Sequence, residues 1–311
     1  MNRNPDNDDI LVEHNKAPLV QFWIASLLSQ RAVWRRAWCA LLKEFDSPEI
    51  LECLSMNRAE IRRLRNPPKS LKQFIPEKGA SDLFADDRLY NIISVFGDKL
   101  ALSEAEKRLL TFVAYIDLTN EFQGIFHNVK SRGVDSSHTL AYMLGVTVRE
   151  LIEATRSDAI IRKAGLIHTP GNPITNFSIT HFAINKSLLE ALALPDVDFE
   201  SLQEIFYHFA DPAQLTEDDY PHVHEDLKIV EAVIQNAVRN QRKGINILVY
   251  GSPGTGKTQM AHVVAQELSL DMAVVPELDK NHEPIDPNDR FKRLQACLVS
   301  LRKSCGAMAL F

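Results

Sequence analysis

The sequence predicts an α/β fold: a parallel sheet with helices on both faces, set behind a mainly α-helical N-terminal region. Three observations predict it. Ile245-Asn246-Ile247-Leu248-Val249-Tyr250 is a short, apolar, β-branched run of the kind a buried parallel strand needs. Two more apolar runs, Asp271 to Val275 and Ala307 to Phe311, follow it with helical periodicity between them. Before about residue 195, apolar residues recur mostly at helical spacing.

The 311 residues suffice for two domains or three. An apolar fraction of 45% with 24% charged residues is ordinary for a soluble globular chain. The net charge of −6 gives no global electrostatic reason to bind nucleic acid. The start, Met1-Asn2-Arg3-Asn4-Pro5-Asp6, has no apolar signal region behind its basic residue. The longest dense apolar stretch, Leu19 to Leu28, is about half a membrane span, and Arg31, Arg35 and Arg36 follow it. A buried helix, no membrane partner and a cytoplasmic location are therefore expected. Cys39, Cys53, Cys297 and Cys305 show no C-x-x-C pairing and no histidine spacing that suggests zinc. They read as reduced thiols.

The N-terminal region, residues 1–100, reads as helical after a polar, disordered start at 1–16. Pro18 to Phe45 is strongly helical, with Phe22, Trp23, Leu27, Leu28, Trp34, Trp38, Leu41 and Leu42 on apolar faces. A second helix is predicted from Ser47 to Arg65, broken by Asn66-Pro67-Pro68. Another spans Asp86 to Phe96. Arg58, Arg62, Arg63, Arg65, Lys69 and Lys72 oppose only Glu60 and form a basic patch, read first as a solvated helix face.

Residues 101–195 carry a second pattern. Ser103 and Glu106 open a helix as a capping box, and Leu109, Leu110, Phe112, Val113 and Ile116 follow. Thr139 to Leu151 reads as a short helix, a turn at Gly145 and a longer helix from about Thr147 to Ser157. Ile160 to Ile167 leads into a strand, Gly171-Asn172-Pro173 makes a hairpin tip, and Asn176 to Thr180 returns. Together these segments resemble a winged helix. Such a unit can place its second helix in a DNA groove, or it can be a packing module. The exposed residues of that helix, Arg149, Glu150, Glu153 and Arg156, are balanced rather than basic. Across 101–190 nine acidic residues meet nine basic ones. Phosphate neutralisation drives most DNA affinity, so a protein contact or scaffold role is favoured.

Residues 196–220 read as a linker. Leu227 to Arg239 is helix-like, and His222 with His224 completes no metal site. Next come the strand run and Gly251-Ser252-Pro253-Gly254-Thr255-Gly256-Lys257-Thr258. The loop fits G-x-x-x-x-G-K-[ST], and Met260, Ala261, Val264, Ala265 and Leu268 continue it on one helical face. Strand, loop and helix is the context a phosphate-binding loop requires. Glycines let the backbone approach an oxygen-rich anion, and successive N–H groups form a cradle at a helix N-terminus. Lys257 would reach the β/γ-phosphates of ATP, and the Thr258 hydroxyl would bind Mg²⁺. Farther on, Asp286-Pro287-Asn288-Asp289 starts a helix with Phe291, Leu294, Leu298 and Leu301 on one face.

The form G-S-P-G-T-G-K-T resembles the AAA+ ATPase family, over about the last hundred residues. The resemblance implies a P-loop AAA+ nucleotide-binding domain at 221–311, with Asp219 to Val223 as its approach and adenine near Tyr220 to Val223. It implies that an Asp-Glu pair should follow the strand at Ala307 to Phe311. The sequence stops there, so a truncated domain is expected, with catalytic residues unknown, hydrolysis impaired and an apolar surface exposed around the third strand. When complete, such a protein would be a ring-forming homo-oligomer that remodels protein substrates, chosen here by residues 1–211. Two alternatives stay open. One is a DNA-associated ATPase, a loader or transposition helper, using the winged helix and the basic patch. The other is a non-enzymatic adaptor with a vestigial nucleotide site.

Overall fold

A computed structural model describes residues 17–29, 66–77, 79–119, 137–168, 182–242, 244–279, 282–303 and 307–311. The chain divides into two compact units between Leu202 and Gln203. The expected disorder at 1–16, the helix at 47–65, the basic side chains before Asn66, Cys39, Cys53, Cys305 and the hairpin at 171–180 lie outside the described residues.

The first unit begins with α1 (Pro18–Leu28), which has proline at its first helical position, where the missing N–H costs nothing. A 3₁₀ turn at Lys69–Phe74 follows Pro67-Pro68. Then come α2 (Ser81–Ala85), α3 (Arg88–Lys99) and α4 (Glu104–Leu118). Asp87 caps α3 by accepting from the Tyr90 N–H at 2.8 Å. The predicted capping box of Ser103 and Glu106 opens α4.

Helix α4 is the spine of the core: Leu109, Leu110, Phe112, Val113 and Ala114 are fully buried on it. Each large side chain among these contributes roughly 2 kcal/mol by leaving water. From α1, the Trp23 ring meets Phe112 and Tyr115 edge-on, and its Nε1–H donates to the Met143 carbonyl at 2.9 Å. The buried indole therefore satisfies its one polar group.

Helices α5 (Ser137–Leu144) and α6 (Val148–Thr155) meet at Gly145, whose φ of +63° a side chain would resist. A second capping box, Thr147 with Glu150, starts α6. Then α7 (Ile160–Lys163) leads to β1 (Ile167–His168), which pairs antiparallel with β2 (Ala183–Ile184). Glu106 ties these parts together: its Oε1 accepts from the buried Ile161 N–H at 3.0 Å. Helices α8 (Lys186–Leu192) and α9 (Phe199–Glu204) follow.

The second unit holds a three-stranded sheet in the order β3 (His208–Phe209), β4 (Asp271–Val274), β5 (Ala307–Leu310). β4 and β5 run parallel, with Asp271 opposite Ala307 and Val274 opposite Leu310. β3 is antiparallel to β4, so the sheet is mixed rather than wholly parallel. Residues 196–220, expected as a linker, carry α9 and β3, because Leu202, Ile205, Phe206 and Tyr207 are apolar enough to be buried. Helices α10 (His224–Arg239) and α11 (Lys257–Glu267) pack through Leu227, Ile234, Val263 and Val264. Glu225 and Asp226 in the first turn of α10, with Arg239 in the last, complement its dipole.

The strand expected at Ile245 to Tyr250 is corrected. Ile245 to Tyr250 is not a strand: it joins no sheet among the described residues, and Leu248 and Tyr250 are 86% and 87% exposed. Apolar content states what a strand would bury; the ladder also needs a strand lying alongside, and no described strand pairs with this run. The helix predicted from Asp286 is α12 (Pro287–Ser300), with Asp286 as its N-cap. Phe291 and Leu298 face outward, while Arg293, Ala296, Cys297 and Val299 are buried. A run with apolar residues on two sides does not reveal which side meets the sheet. The exposed apolar surface expected at the third strand lies chiefly at 245–250; Ala307 to Leu310 is half-buried and Phe311 exposed.

Candidate nucleotide site

The glycine loop leads directly into α11. Gly256 is the N-cap of that helix, in the left-handed region at φ +78°, and no side chain caps it. The first N–H groups of the helix thus keep their donors for an outside acceptor. Gly254 has φ +79°, and a Cβ there would meet nothing within 4 Å, so its outer face is open. The loop residues Gly251 to Thr255 are exposed and Gly256 is half-buried.

Lys257, the first residue of α11, folds back over the loop. Its Nζ donates to the carbonyls of Gly251 at 3.1 Å and Ser252 at 2.7 Å. The Thr255 hydroxyl donates to the same Ser252 carbonyl at 2.9 Å. Carbonyls turned toward the ammonium leave the loop amides to face elsewhere. Thr258 lies at the second helical position, exposed, where its hydroxyl can reach a cation beside a bound anion. An uncapped helix start, open glycine backbone and one ammonium form the donor set that a polyphosphate matches.

Behind the loop stands Tyr220. Its ring is 3% exposed and belongs to the α10–α11 core. Its hydroxyl donates to the Gly256 carbonyl at 3.2 Å. A Cβ at Gly256 would lie 3.1 Å from the Tyr220 hydroxyl oxygen, a tight approach on top of the glycine-favouring φ. Burial, then the neighbouring Asp219, pushes the Tyr220 phenol pKa up.

Residues 247–294 match the family model for the "ATPase family associated with various cellular activities (AAA)". The match supports an ATPase of the AAA type. It spans the apolar run, the loop, α11, β4 and the first half of α12. No solved structure matches the chain.

Other candidates come out plainly. His224 Nδ1 lies 3.0 Å from Glu217 Oε1, and no cluster of metal-ligating side chains exists among the described residues. Arg149 pairs with Glu153 and Arg156 with Asp158, so each exposed arginine of α6 and its C-terminal end has a carboxylate beside it. Cys297 is buried, and burial pushes its thiol up to about 12. No described helix is long and apolar enough to cross a membrane. The resemblance placed adenine near Tyr220 to Val223, but sequence reasoning missed the bond of the Tyr220 hydroxyl to the loop. It also missed the Thr147–Glu150 box, although T-x-x-E is legible.

Proposed function

We propose that this chain binds ATP with Mg²⁺ through Gly251, Ser252, Pro253, Gly254, Thr255, Gly256, Lys257 and Thr258. The observation that carries the reading is the uncapped start of α11 at Gly256, with the Lys257 ammonium folded over the loop beside it. Loop amides and the helix start would receive the phosphate oxygens, and Lys257 would exchange its carbonyl partners for the anion. The Thr258 hydroxyl would hold the cation, whose role is to offset phosphate charge. The family match over 247–294 supports the same reading.

The wider activity we infer is protein remodelling by a homo-oligomeric ATPase, with partners engaged through residues 1–211. The self-paired arginines on and beside α6 favour a protein partner over a DNA groove for the winged-helix-like segment. Equilibrium titration with a fluorescent ATP analogue tests the site. Saturable, Mg²⁺-dependent binding that Lys257→Ala abolishes is expected. Binding unaffected by that substitution would refute the assignment.

A further inference from the structure

We propose that Tyr220 is a positioning residue for the phosphate-binding loop: its hydroxyl fixes the Gly256–Lys257 peptide in the orientation that receives phosphate. The proposal rests on the reading of the loop as a nucleotide site.

The Gly256 carbonyl has two partners. Met260 N–H donates to it at 2.8 Å as the first helical bond, and Tyr220 Oη–H donates at 3.2 Å from the protein side. A carbonyl has two lone pairs, so both are used. The peptide is planar and trans, so its N–H points opposite to its C=O. With the carbonyl held inward by Tyr220 and Met260, the Lys257 N–H is aimed out of the helix start. Gly256 needs such a hold, because a glycine at φ +78° has more freedom than any other residue.

Tyr220 is itself held firmly. Thr216 and Asp219 form a capping box around the 3₁₀ turn Glu217–Asp219, with Thr216 N–H donating to Asp219 Oδ2 at 2.8 Å. Tyr220 N–H then donates to the Glu217 carbonyl at 3.0 Å. The ring packs with Leu227, Ile234, Val263 and Val264. The hydroxyl is thus anchored from one side by a rigid turn and from the other by the helix core. The packing needs only the ring; the loop uses the oxygen.

Tyr220→Phe separates the two roles, because it keeps the ring and removes the hydroxyl. ATP·Mg²⁺ affinity and nucleotide-free melting of the second unit would be measured on the unchanged chain, Tyr220→Phe and Lys257→Ala. The expected result is affinity weakened about fivefold by Tyr220→Phe, with nucleotide-free melting lowered by no more than the cost of one hydrogen bond, about 8 °C. Affinity within twofold of the unchanged chain, beside loss on Lys257→Ala, would overturn the proposal alone. A weaker affinity accompanied by a larger fall in nucleotide-free melting would assign a general loosening of the second unit, and would also overturn it. No binding by the unchanged chain would overturn both the proposal and the nucleotide reading.

Discussion

Glu106 carries more of the first unit than a capping residue normally does. Its Oε2 accepts from the Ser103 N–H at 2.8 Å and the Ser103 hydroxyl at 2.9 Å, closing the box that starts α4. Its Oε1 accepts from the Ile161 N–H at 3.0 Å, in a buried setting 55 residues away. Ser103→Ala removes only the cap and should cost about 1 kcal/mol. Glu106→Ala removes the reciprocal half of the box and also strands the Ile161 amide, which adds roughly 1–3 kcal/mol. The total is about 2–4 kcal/mol. Glu106→Gln keeps one acceptor oxygen but puts an amide NH₂ against the other donor, so an intermediate loss is expected. Urea unfolding followed by tryptophan fluorescence reads this directly, because all three tryptophans, Trp23, Trp34 and Trp38, precede Gln203. A Glu106→Ala loss no larger than that of Ser103→Ala would show that the bond to Ile161 contributes nothing.

Two further outcomes are expected. Burial raises the Asp87 pKa, against the opposing hydrogen bonds from Tyr90 and Tyr115. A carboxyl with a raised folded pKa favours the fold while protonated in both states and loses that advantage as pH rises above its ordinary value of 3.8. The stability of the unchanged chain relative to Asp87→Asn should therefore fall as pH rises above 3.8; a difference that rises or stays flat would refute the burial argument. Backbone amides of 247–250 make no ladder among the described residues, so they should exchange hydrogen quickly while those of Met272 to Val274 are protected. Protection at 247–250 would mean that this run finds a strand partner in solution.

The sequence carried the local chemistry of this protein well. The Ser103–Glu106 box, the helical character around Trp23, the helix that follows Gly256 and the strand character of 271–274 and 307–310 all follow from short patterns of residues. Each depends on neighbours within a few positions, or on a strand that reads as apolar. What escaped depends on partners distant in the chain. Ile245 to Tyr250 has the composition of a buried strand, yet composition cannot supply the adjacent strand that would bury it. The inner side of α12 is decided by where β5 lies, so Arg293 is buried while Phe291 is not. Tyr220 sits 36 residues before Gly256, and only the packing of α10 on α11 brings its hydroxyl to the loop.

The central claim is that a nucleotide binds in the second unit through Lys257 and the start of α11. Scanning calorimetry with and without ATP and Mg²⁺ tests it most directly. At a ligand concentration about a hundred times Kd, binding stabilises the liganded unit by about 2.7 kcal/mol. The transition of residues 203–311 should move upward, that of the first unit should stay, and Lys257→Ala should remove the shift. No shift in either transition, or an equal shift in the Lys257→Ala chain, would contradict it.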